Sequence, residues 1–127
     1  MHTHRFTLAL LIGSMPAFAA DPVTTDGDKY TVLLENSCVR VLEYRDQPGD
    51  ITHEHQHPAF VLYALTPFDR VIHLPDGKVI NRSFKAGDVI WSPAQTHTGA
   101  NTGSSPSHAI IVESKASGSR LSECSEE

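Results

Sequence analysis

The chain has 127 residues, with 10 Lys+Arg against 15 Asp+Glu, a formal net charge of −5 and 39% hydrophobic residues. Once a leader is set aside, that length holds one domain with one modest core and excludes two. The acidic balance, with no basic patch, argues against nucleic acid or an anionic membrane surface as a partner.

Residues 1–20 read as an address. Arg5 supplies a basic start, Phe6 to Phe18 is mostly apolar, and Ala17-Phe18-Ala19 has the small-x-small pattern of a signal-peptidase site. The apolar run is broken by Gly13 and Pro16, too short for a hydrocarbon core that needs ~20 residues, so a signal peptide is the better reading than an anchor. The product is expected to be periplasmic or secreted, with no membrane attachment after cleavage. In that oxidising setting Cys38 and Cys124 invite a disulfide, whose long loop would add on the order of 4 kcal/mol. Two unpaired thiols are the alternative, and neither cysteine has a CxxC or nucleophile motif around it.

Residues 21–35 form an N-terminal segment. Asp21 to Asp28 is polar and contains Pro22, a leading stretch or a covering strand, and Tyr30 to Leu34 is a first strand. Asn36-Ser37 supplies turn chemistry before a second strand, Val39 to Tyr44, rich in β-branched and aromatic residues. Pro48-Gly49-Asp50 turns the chain into a histidine-rich stretch, and Ala59 to Leu65 is apolar enough for a central strand.

Thr66 to Asp69 is a turn, Arg70 to Leu74 pairs back, and Pro75-Asp76-Gly77 leads into Lys78 to Phe84 as a hairpin. Lys85-Ala86-Gly87-Asp88 turns into Val89 to Ser92, closed by Pro93. His97 is expected in a short loop or at the start of the following strand. After a turn at residues 101–106, Ser107 to Glu113 is the last strand, and residues 115–127 are a polar, flexible tail. No segment longer than a turn has helical periodicity. Short strands with turn signals every eight to twelve residues predict an all-β fold, and at this size an antiparallel jelly-roll β-barrel spanning residues 36–114.

Within Gly49 to Pro58, His53, His55 and His57 stand at alternate positions. If the stretch is extended, all three point to one face, with same-face residues roughly 6.6 Å apart. Gly49-x5-His55-x-His57, followed by Gly87-x5-Pro93 and His97-x3-Asn101, resembles the two motifs of the cupins, over roughly Asn36 to Glu113. The resemblance implies a divalent metal held in the barrel mouth by His55, His57, His97 and a glutamate a few residues past His57. Two departures stand out. Val61 and Leu62 occupy the place of the glutamate, and Gln95 stands where glycine is usual, with His97 one position early.

The candidate ligands are therefore nitrogen donors: His55, His57 and His97, with His53 a fourth ligand or, more simply, a rim residue. Neutral imidazoles suit iron, zinc, copper or nickel, and not the oxygen-seeking calcium or magnesium; iron is slightly favoured. Tyr63, Gln95 and Trp91 are candidate substrate contacts, against a default in which both aromatics are core. Asn101 fits a turn better than a substrate contact. His73 and His108 are read as sheet-face residues. No catalytic acid or base is identified, because Glu54 should face away from the histidines and no other carboxylate is tied to the site.

Three readings follow. The first is a metal-dependent, dioxygenase-like enzyme acting on a small polar organic molecule. The second is a non-catalytic periplasmic metal- or ligand-binding protein, and the third a structural homodimer. A homodimer is compatible with all of them.

Overall fold

The computed structural model describes residues 20–115 and Cys124. The expected leader, apart from Ala20, and most of the expected C-terminal tail lie outside the described residues. A short helix, α1 (Pro22–Thr25), is followed by nine strands: β1 (Tyr30–Glu35), β2 (Val39–Asp46), β3 (His55–His57), β4 (Phe60–Ala64), β5 (Phe68–His73), β6 (Val79–Phe84), β7 (Val89–Ser92), β8 (Gln95–Asn101) and β9 (Ser107–Ser114).

They make two antiparallel sheets, ordered β1-β2-β9-β4-β7 and β3-β8-β5-β6. This is the jelly-roll barrel expected from the strand spacing. The inward phase of each strand carries the core: Leu42 and Tyr44 on β2, Phe60, Leu62 and Ala64 on β4, Ala109 and Ile111 on β9, and Phe68 and Phe84 across the β5–β6 pair. Alternation of period two puts these residues on one side and leaves their neighbours outside.

Two of the expected motif glycines build the same turn twice. Gly49 (φ 88) and Gly87 (φ 89) take the left-handed conformation that glycine adopts without steric cost. In each turn the following aspartate folds back: Asp50 accepts from the Gln47 amide and Asp88 from the Lys85 amide, at 2.9 and 2.8 Å. The first turn leads towards β3, and the second opens β7.

Two expectations are corrected. The polar stretch after Asp21 is neither loose nor a strand but α1, because Asp21 caps it by accepting from the Val23 amide and Pro22 occupies its first turn. The turn placed at 66–69 ends early, and Phe68 opens β5, where its ring stacks on Phe84 with centroids 4.7 Å apart. Of the two places left open for His97, the strand is the one found: it is the third residue of β8.

Cys38 and Cys124 form a disulfide, so of the two readings left open the bridge is the one found. It ties the far C-terminus to the β1–β2 turn, beside the Lys115 amide that donates to the Cys38 carbonyl at 2.8 Å. Among the described residues no helix is long and apolar enough to cross a membrane.

Candidate metal centre

The register of β3 against β8 sets His55 directly opposite His97 and His57 opposite Gln95. His55, His57 and His97 are 0%, 1% and 5% exposed, and their candidate ligand atoms all lie within 4.8 Å of one another. Pro58 and the turn at Ala59 return the chain into β4, whose Phe60 ring lies 5.1 Å from that of His57 and seals one side.

Each imidazole is held from behind by a different acceptor. His55 Nδ1 donates to the His53 backbone carbonyl at 2.9 Å, His57 Nδ1 to Glu113 Oε1 at 2.6 Å, and His97 Nδ1 to Gln95 Oε1 at 2.6 Å. A carbonyl and a carboxylate only accept, so Nδ1 carries the proton and Nε2 is left as a bare lone pair. The Nε2 atoms of His55 and His57 stand 3.1 Å apart. Two lone pairs at that separation repel unless a cation lies between them. Ligand nitrogens 2.0–2.1 Å from one ion at octahedral to tetrahedral angles would be about 2.8–3.4 Å apart, a range that the His55–His57 pair already meets, and with His97 the group could hold a metal ion.

Burial, and next the neighbouring imidazoles, push His55 down to about 4 and His97 down to about 2 from an ordinary value near 6.5. Both stay neutral, and available as ligands, through the physiological range.

The supports are themselves supported. Burial alone would raise the Glu113 carboxyl, but hydrogen bonds from His57 and Arg40 outweigh it and hold the group below its usual range. Arg40 Nε donates to Glu113 at 2.7 Å, and its other guanidinium arm reaches Asp21 at 2.6 Å. Asp26, 2% exposed, accepts from the His53 amide and ring and so holds the residue whose carbonyl orients His55. Ala20 accepts from the Gln56 amide at 3.0 Å and covers the free edge of β3. Residues 20–26 thus brace the histidine strand.

Of the other sequence candidates, His53 is outside the cluster; its side chain is 79% exposed and pairs with Asp26, which makes it the rim residue of the two readings. Gln95 does enter the site, as the acceptor for His97. Tyr63 and Trp91 are corrections. They are 44% and 68% exposed on the outer face, because Phe60, Leu62 and Ile90 take the inward phase of β4 and β7. Asn101 serves the turn, accepting from the Gly103 amide and donating to Asp46.

Glu113 was not singled out by sequence, and it overturns the expectation that no carboxylate is tied to the site. Its signal was parity: it shares the inward phase of β9 with Ala109 and Ile111. Asp26 and Tyr30, whose hydroxyl lies 3.3 Å from His55 Nε2, had no local signal.

The cluster opens on a cavity of about 70 Å³ lined by both sheets, including Tyr30, Tyr44, His57, Phe60, Arg70 and His97. The Glu113→Gln variant keeps the shape but replaces a carboxylate by an amide behind His57. Its metal affinity is expected to fall 10–100-fold, read by competition with a chromophoric chelator.

No protein-family model matches the chain, and no curated protein does. Among solved structures, a cupin domain from Bordetella pertussis Tohama I is similar over 68% of this chain and 92% of its own, with 26% identity and a TM-score of 0.63. A conserved protein with a double-stranded β-helix domain from Klebsiella pneumoniae subsp. pneumoniae MGH 78578 is similar over 71% and 78%, with 25% identity and a TM-score of 0.56. The polyketide cyclase RemF from Streptomyces resistomycificus shares the fold at 17% identity and a TM-score of 0.54, over 68% and 64%.

Proposed function

Because the chain is a small cupin whose three-histidine group can hold a metal ion, we propose that it is a metal-dependent, dioxygenase-like enzyme for a small organic molecule. The observation that carries this reading is the convergence of three buried Nε2 lone pairs, each fixed by its own Nδ1 acceptor. Iron is the metal we favour. A divalent ion held by His55, His57 and His97 would supply Lewis acidity and, as iron, one-electron chemistry with oxygen.

The chain's own residues set the rest. Glu113, Gln95 and the His53 carbonyl aim the imidazoles. Burial raises the pKa of Tyr30, so its hydroxyl keeps a proton and can donate to a ligand seated by His55. Phe60, Leu62 and Ile111 keep water from the inner wall. RemF is a cyclase on the same scaffold, and a scaffold by itself assigns no reaction.

Elemental analysis of untagged protein after loading with ferrous ion, beside His55→Ala/His57→Ala, tests the reading. About one equivalent in the wild type, none in the variant and substrate-dependent oxygen uptake are expected. Metal bound without any turnover moves the protein to a binding role. Wild-type protein that takes up none of iron, zinc, copper or nickel overturns the centre.

Export is supported by the disulfide, which is maintained in oxidising compartments, and is checked by the N-terminal sequence of protein from the periplasmic fraction. A homodimer is supported by the outer face of the larger sheet, where Leu34, Val61, Tyr63, Val89 and Trp91 are all exposed. Sedimentation equilibrium reads it directly.

A further inference from the structure

Arg70 and Arg82 face each other across β5 and β6, on the inward side, and both line the cavity that holds His57 and His97. Like charges directly opposite on a sheet are destabilising, and only one of the two is neutralised. Arg70 is 7% exposed; it donates to Asp46 at 3.0 Å and to the Tyr44 hydroxyl at 2.6 Å, with its guanidinium 4.6 Å from the centre of the Tyr44 ring. Arg82 stands at the open end of the wall, and among the described residues no carboxylate makes an ion pair with it. Among the described residues the cavity lining contains no Asp or Glu, although the chain as a whole carries a net charge of −5. Asp46 and Glu113, the buried acids nearby, are committed to Arg70 and to His57 with Arg40.

An uncommitted guanidinium fork at the mouth, an apolar wall and a cation-ready floor select one ligand chemistry. We propose that the cavity binds a small organic carboxylate, with its anionic group on Arg82, its carbon body against Phe60, Phe68 and Phe84, and its other end towards His57 and His97. The fork matches a carboxylate with two parallel hydrogen bonds. A space of about 70 Å³ holds only a short acid. This deepens the metal-centre reading and rests on it for the role of the far end, but the Arg82 contact stands on its own geometry.

The test is calorimetric titration of acetate, propionate and butyrate, each against its neutral amide, into metal-loaded and metal-depleted wild-type protein and Arg82→Gln. Metal content is measured on the same samples. At least one acid is expected to bind tenfold or more tighter than its amide, and that preference is expected to vanish in Arg82→Gln with metal content unchanged. Acid and amide binding alike, no acid binding, or an undiminished preference in Arg82→Gln would each overturn the proposal. Wild-type protein without metal would instead sink the metal centre, while the acid-over-amide comparison still decides the anion site.

Discussion

The Cys38→Ser/Cys124→Ser double variant is expected to unfold with about 4–5 kcal/mol less free energy than the bridged protein. The bridge spans 86 residues of sequence, and closing a loop of that size removes conformational freedom chiefly from the unfolded chain. A domain of this length has a total stability of only about 5–15 kcal/mol, so the loss decides whether the fold persists at body temperature. Urea denaturation of the two proteins, oxidised throughout, gives the difference and the m-value. A loss below about 1 kcal/mol would mean that the hydrogen bond from the Lys115 amide to the Cys38 carbonyl and the β2–β9 ladder already hold this end.

The metal-free protein is expected to lose stability as the pH falls below 6.5. His55 and His97 are depressed in the fold, to about 4 and about 2, and return to near 6.5 when unfolded. Above 6.5 both states are neutral and the stability is whole. Between 6.5 and the folded values the unfolded chain binds more protons, so each step down in pH favours unfolding. At 1.36 kcal/mol per unit, His55 alone accounts for on the order of 3 kcal/mol by pH 4, and His97 acts in the same direction. Glu113, Asp26 and Asp46 are held below the usual carboxylate range and add their own loss only at lower pH. Urea midpoints at pH 7, 5.5 and 4.5 check the slope. A flat profile would mean that water reaches these imidazoles.

The strands were legible because alternation and turn residues act locally. Phe60 and Leu62 against Val61 and Tyr63, or Gly49-Asp50 and Gly87-Asp88, state their conformation within four residues. The histidine pair was legible for the same reason, since β3 needs only period two to aim His55 and His57 together. What faces them was not. Glu113 meets His57 across 56 positions and Asp26 meets His53 across 27, distances over which only the packed sheets decide. Tyr63 was set on the wrong side because the chain turns at Pro58 and Ala59, between β3 and β4, and the phase cannot be carried through such a break; Trp91 sits opposite Val61 and shares its outward side. Arg82 was hidden because its meaning depends on Asp46 being already committed to Arg70.

The disulfide also divides the molecule by connectivity. Everything from β2 to β9, including His55, His57, His97 and Glu113, lies inside one covalent ring closed at Cys38 and Cys124. The segment that braces the histidines, with Asp21 and Asp26, is a linear arm outside it. A single proteolytic cut in that arm would therefore release the braces while the ring kept all three ligands on one closed strand of chain. The two parts can be separated with a protease instead of by mutation, and the metal affinity of the trimmed ring then measures what the arm contributes.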